Sequence, residues 1–156
     1  MLARCAEISE ASAAADVLRR SITELCADDY RRDPAVLARW LANKTAANLE
    51  RWIADPARSV CVVVAGSGQL AAVGMVVHDG EVQLNYVAPE ARFGGASKRL
   101  LAHMEDHLRQ LRVRRATLVS SQVARRFYRS AGYAEGEEIE SLFGTLPGVR
   151  MTKDLS

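Results

Sequence analysis

Three short apolar segments in the middle of the chain leave little choice of fold. Cys61 to Val64 is an unbroken apolar run, Gly66-Ser67-Gly68 interrupts it, and Leu70 to Val77 is a second run. Asp79-Gly80 supplies the positive φ of a tight turn, and beyond it Glu81, Gln83 and Asn85 alternate with Val82, Leu84 and Tyr86. Short runs bounded by turn residues are strands, so three antiparallel strands are expected to follow one another.

The flanking segments read mostly as helices. Ser12 is expected to cap a helix through Ala14, Val17, Leu18, Ile22 and Leu25, after a short strand over Ala3 to Ile8. Asp33-Pro34 opens a second helical stripe through Val36, Leu37, Trp40, Leu41, Leu49, Trp52 and Ile53, broken near Asn43-Lys44-Thr45 and stopped at Asp55-Pro56. Downstream, Pro89 ends the third strand, Gly94-Gly95 follows, and Leu100, Leu101, Met104, Leu108 and Leu111 define a long amphipathic helix. Arg115 to Ser120 returns to strand. Ser121 is expected to cap a short helix through Ala124, Phe127, Tyr128 and Ala131, with Gly132 at C′. Tyr133 to Ile139 and Val149 to Thr152 are two further strands. The expectation is an α/β (α+β) fold whose mixed, mostly antiparallel central sheet of about seven strands has helices on both faces, with a parallel crossover through the long helix.

Composition sets the class. With 156 residues, 49% hydrophobic and 26% charged, the chain can bury a real core, and residues 1–156 are expected to form one domain. Lys+Arg 21 against Asp+Glu 19 leaves a formal charge of +2, which argues neither for a strongly basic nucleic-acid binder nor for an acidic tail. Cys5, Cys26 and Cys61 are too few and too widely spaced for a disulfide framework or a thiolate zinc site. No signal-type h-region or apolar stretch of about 18 residues occurs, so a soluble, cytoplasmic protein without a membrane partner is expected.

A glycine loop between a strand end and a helix N-terminus offers unpaired backbone N–H groups and the positive end of the helix dipole, which together hold phosphate oxygens. Arg92, Lys98 and Arg99 flank it here. The loop alone is also consistent with a simple turn. The segment from Asn85 and Tyr86 through Val87, Pro89, Arg92, Phe93, Gly94, Gly95, Ala96 and Ser97 resembles the acyl-CoA signature of the GNAT N-acetyltransferase superfamily, strand-V-x-P-x-x-(Q/R)-x-x-G-x-(G/A). Further on, Ala124 to Tyr133 resembles the second family motif, A-x-x-F-Y-x-x-x-G-(F/Y). The order of elements agrees with that family over about residues 3 to 154. Two positions depart from it: Ser97 stands where Gly or Ala is usual, and Ser121 where many members carry Asn.

The resemblance implies acetyl-CoA as cosubstrate, no metal, and transfer of an acetyl group to an amine of a small molecule or a protein, by direct attack on the thioester. It further implies that Gly94 to Lys98 hold the pyrophosphate and that a backbone N–H near Val87 polarises the thioester carbonyl. Tyr86, Arg92, Phe93 and Ser121 would complete the coenzyme site. Tyr128 takes the position of the proton donor to the departing thiolate; the alternative is a half-buried structural tyrosine. Glu81 falls where some relatives place a general base, or is an exposed turn-flanking glutamate. Asn85, on the same strand face, would contact the acceptor or pantetheine, or merely line the sheet. A monomer or a homodimer is expected.

Other clusters carry less. His103 and His107 have the spacing of metal ligands but lack a third ligand. Seven arginines between Arg109 and Arg129 form a stripe able to meet coenzyme phosphates or a nucleic acid, or only solvent. Glu135, Glu137, Glu138 and Glu140 would attract a cationic amine or form a solvated edge. Trp40 and Trp52 read as core. The rival functions are a non-catalytic acyl-CoA-binding regulatory module and a nucleic-acid-binding domain using the stripe 109–129; a nucleic-acid partner is not expected.

Overall fold

The computed structural model describes all 156 residues. Strands β1 (Leu2–Cys5), β2 (Arg58–Val64), β3 (Leu70–Val77) and β4 (Val82–Val87) form an antiparallel sheet in that order. A second antiparallel sheet has the order β5 (Arg115–Ser120), β7 (Gly148–Asp154), β6 (Ala134–Ile139). Helices α1 (Ala11–Leu25), α2 (Pro34–Leu41) and α3 (Ala46–Ala54) precede β2, α4 (Ala96–Gln110) connects β4 to β5, and α5 (Arg125–Ser130) connects β5 to β6. The seven strands are thus present with helices on both faces, but the sheet is split four and three.

The split follows from how β4 and β5 meet. They run parallel and touch only at their beginnings, where Glu81 bridges Thr117 and the Thr117 N–H donates to the Gly80 carbonyl at 2.9 Å. Gly80 makes that contact possible: its φ is +116°, and a Cβ there would lie 2.4 Å from the Arg115 carbonyl oxygen. Beyond this point the strands diverge, so their C-terminal ends, Val87 and Ser120, frame an opening.

Two cores explain why the long apolar run of β3 is buried from Leu70 to Val76. On one face α4 packs Leu100, Leu101, Met104 and Leu108 against Val63, Val76 and the inner side of the second sheet. On the other, Ala14, Leu18 and Leu49 of α1 and α3 cover Val62, Val73 and Met75. A central strand covered on both sides loses the alternation of a half-exposed one.

Several local expectations are corrected. β1 stops at Cys5 rather than reaching Ile8, because the chain turns there: the Glu10 carboxylate accepts from the Glu7 N–H at 2.9 Å and from both Arg4 nitrogens at 2.8 Å. The following helix starts at Ala11, so Ser12 lies inside it rather than capping it. Nor does Ser121 cap α5, whose N-cap is Ala124 without a side-chain bond. The N–H groups of Gln122 and Val123 instead go to the carboxylate of Asp29, at 2.7 and 3.3 Å. By contrast, Asp33 caps α2 and Thr45 caps α3 as their positions before each stripe require.

Candidate active site

The diverging ends of β4 and β5 border a cleft of about 380 Å³. Tyr86, Val87 and Asn85 reach it from β4, Ser121 from the end of β5, and Tyr128 and Phe127 from α5. Arg92, Phe93, Gly95, Ala96, Ser97 and Lys98 close its other end. The predicted coenzyme residues therefore converge, with one exception: Gly94 lies just outside this lining, on the outer side of the loop. Glu81 is also outside. It sits at the closed end of β4, six positions or roughly 20 Å of strand from Val87, beside the contact with Thr117.

The loop end of the cleft has the chemistry of a phosphate site. Helix α4 begins without any side-chain cap, so its first N–H groups have no partner of their own within the helix. Its N-cap is Gly95, at φ +86°, with no atom within 4 Å of where a Cβ would stand; backbone approach from the cleft side is open. Lys98 and Arg92 border the same space, and Arg92 stacks on the exposed Phe93 ring at 4.6 Å. Ser97 faces the cleft, where its hydroxyl can donate to an anion. These groups fit the diphosphate of coenzyme A.

Deeper in, Tyr128 is 7% exposed and its ring meets Phe127 and Tyr133 edge-on at 5.2 and 5.6 Å. Burial pushes its phenol up to about 12, and the neighbouring Asn85 amide offsets only part of this. The hydroxyl is protonated at every physiological pH. Asn85 keeps its own Oδ1 buried without a hydrogen-bond partner, a polar atom left for a ligand to satisfy. No Asp, Glu or His lines the cleft.

Sequence reasoning missed the third wall, made by Ser21, Leu25 and Cys26 of α1 and its C-terminus. They lie on the helix's apolar stripe, and nothing in spacing separates core from cleft. Burial raises the Cys26 thiol to about 12, so it is inert as a nucleophile. Asp29 was missed as well. It is 1% exposed and ties the segment after α1 to the loop after β5, a link across 93 positions of sequence.

A second cavity of about 270 Å³ lies on the far side of Tyr86, lined by Trp40, Lys44, Glu140, Phe143 and Leu146 among others. Trp40 is thus both buried and cavity-lining, while Trp52 only packs against the core. Half of the acidic cluster is neutralised: Glu135 pairs with Arg125 and Arg129, and Glu137 with Arg150, while Glu138 and Glu140 are in no ion pair and Glu140 borders the cavity. Of the arginine stripe, Arg109, Arg125 and Arg129 are in ion pairs, while Arg112, Arg114, Arg115 and Arg126 are in none. His107 takes part in no metal cluster; its Nε2 lies 2.8 Å from Ser59 Oγ, which is equally close to His78. No helix is long and apolar enough to cross a membrane.

The family profile described as an acetyltransferase (GNAT) domain matches residues 26–155. No curated protein matches the chain significantly. Among solved structures, a GCN5-related N-acetyltransferase from Rhodopseudomonas palustris is similar at 18% identity, with a TM-score of 0.85 over 98% of this chain and 94% of that one. The PaiA N-acetyltransferase from Thermoplasma acidophilum, solved with coenzyme A, aligns at 16% identity and a TM-score of 0.80 over 98% of both chains. An aminoglycoside 6'-N-acetyltransferase from Enterococcus faecium aligns at 13% identity and a TM-score of 0.74, over 100% of this chain and 98% of that one.

Proposed function

The chain belongs to the GNAT acetyltransferase family, and from that premise we propose that it transfers the acetyl group of acetyl-CoA to an amine by direct attack on the thioester. The observation that carries this reading is the cleft between β4 and β5, with an uncapped helix N-terminus at one end and a buried, protonated phenol at the other. Residues 1–156 act as one catalytic domain, and the free thiols of Cys5, Cys26 and Cys61 fit a reducing, cytoplasmic setting.

Each group then has a task. The first-turn N–H groups of α4, with Arg92 and Lys98, bind the diphosphate, and Gly95 lets it approach the backbone. Ser97 adds a hydroxyl donor. Val87, at the end of β4, offers its backbone to the acyl carbonyl, while Asn85 and Tyr86 border the path of the incoming amine. Acetyl-CoA supplies an acetyl carbon activated by a thiolate leaving group. The amine nitrogen forms its bond to that carbon as the C–S bond breaks; the nitrogen loses a proton, and Tyr128 donates to the sulfur.

Deprotonation of the amine falls to solvent, since the cleft holds no carboxylate or imidazole and Glu81 stands far from Val87. That same lack of a base favours the second reading, a coenzyme A-binding module without turnover. Thiol release from acetyl-CoA across a panel of primary amines tests the two: one turned-over acceptor supports the transferase, and tight coenzyme binding with no release for any amine supports the module.

A further inference from the structure

Lys44 is a buried cation with no counter-charge. It lies in the break between α2 and α3, and 4% of its surface is exposed. Its Nζ donates to the side-chain oxygen of Asn43 at 2.6 Å and sits 5.0 Å from the centre of the Phe143 ring. Both partners are neutral. None of the ion pairs in the molecule includes it, although eleven pairs form elsewhere. Burial pulls its ammonium down to about 8, the signature of a charge stripped of water and not repaid.

The position of this charge gives it meaning. Lys44 lines the 270 Å³ cavity beyond Tyr86, together with the aromatic rings of Trp40 and Phe143. Two acids border the same cavity and neither answers it. Both oxygens of Asp29 are committed to the N–H groups of Gln122 and Val123. Glu140 is exposed at the mouth, where water screens it. Tyr86 borders this cavity and the coenzyme cleft alike, so a molecule held at Lys44 extends towards the opening between β4 and β5.

We propose that the acceptor carries a carboxylate that pairs with Lys44, so that the substrate class is an amino acid, or a similar amino-carboxylate, with an apolar or aromatic body. The proposal rests on the acetyl-transfer reading above. A carboxylate brought to Nζ converts an uncompensated buried charge into a charge-assisted pair, whereas an amide or a bare amine leaves it unpaired. Discrimination therefore comes from a lysine that only one class of ligand satisfies. The aromatic walls take the apolar part, and the amine points back to Tyr86.

The test uses matched ligands on the full chain saturated with coenzyme A: L-phenylalanine, L-leucine and L-methionine, each against its carboxamide. Calorimetry reads binding, and thiol release from acetyl-CoA reads kcat/KM. The acids are expected to exceed their amides by about 10²-fold in the wild type. In Lys44→Met that ratio collapses towards one, and Lys44→Arg, which keeps the cation, retains a preference for the acid. Because Met replaces an unpaired buried charge with an apolar chain of similar length, the variant is expected to melt at or above the wild-type temperature, which certifies its fold. Equal acids and amides in the wild type, no binding of any acid, or an undiminished ratio in Lys44→Met overturns the assignment. Failure of the transferase reading looks different: no thiol is released with any acceptor, whatever the calorimetric preference.

Discussion

Replacing Tyr128 with Phe isolates one hydroxyl. The ring stays against Phe127 and Tyr133, so packing is preserved, and the loss is confined to the donor beside Asn85. Its size follows from the burial. A phenol held at about 12 is a weaker acid than an aqueous thiol near 8.5, and complete transfer to a thiolate of that basicity would be uphill by roughly 5 kcal/mol. The same dry cleft raises the basicity of the sulfur and narrows the gap, but hydrogen bonding to the developing charge is the larger contribution. A hydrogen bond to a charged group is worth about 1.5–3 kcal/mol, so kcat should fall about 10–150-fold. Affinity for coenzyme A should hold, and the melting temperature should drop by no more than about 5 °C for one lost neutral hydrogen bond. Single-turnover thiol release, calorimetry and thermal melts on one preparation measure all three. The pH profile adds a sign. Because the folded phenol titrates near 12 rather than 10, Tyr128 keeps its proton from pH 6 to 10, and activity should rise with amine deprotonation and show no alkaline loss in that range. Wild-type turnover in the Tyr128→Phe protein, or an alkaline limb below pH 10 that the variant abolishes, would refute the reasoning.

Other expectations follow from single contacts. Gly95→Glu puts a side chain at a residue with φ +86° and a negative charge against the α4 N-terminus, so calorimetric affinity for acetyl-CoA should vanish while the circular dichroism spectrum is kept. Asp29→Ala removes the carboxylate that satisfies Gln122 and Val123, and should cost about 2–4 kcal/mol, seen as a melting temperature lower by about 5–15 °C. Coenzyme affinity should fall with it, because the freed loop carries Ser121, Val123 and Ala124 of the cleft wall. Glu81→Gln should change kcat by less than about threefold, since the residue sits at the closed end of β4; a loss of about 10²-fold or more would restore it as a base acting through water.

Most of the fold is legible in the chain because it is set by local chemistry. Apolar runs bounded by Gly-Ser-Gly and Asp-Gly specify β3 and β4 to within a residue, while β2 begins three residues before its run, at Arg58; three-and-four spacing specifies α1 and α4. The candidate coenzyme cleft is legible for the same reason: a strand end, a glycine loop and a helix N-terminus are neighbours in sequence, so the geometry proposed to bind phosphate is local. Where sequence reading fails, the deciding contact is long-range. Ser121 is a sensible cap, yet the N–H groups it would serve are taken by Asp29, and Ser12 is displaced by a turn that Arg4 and Glu10 brace. Period-two counting puts Glu81 and Asn85 on one strand face, but the register shift opposite Met75 and Val76 sends Val82 and Leu84 into different cores, so the count fails between them. The divergence of β4 from β5 after Gly80 then leaves Glu81 at the pinch and Asn85 in the opening. Lys44 illustrates the limit best. In the chain it is a lysine in a helix break, and only the packing of α2 and of Phe143 around it strips its ammonium of water without giving it a partner. Burial and charge compensation depend on segments far apart in sequence, whereas periodicity, turns and helix ends depend on neighbours, and that difference divides what this chain declares from what its tertiary structure decides.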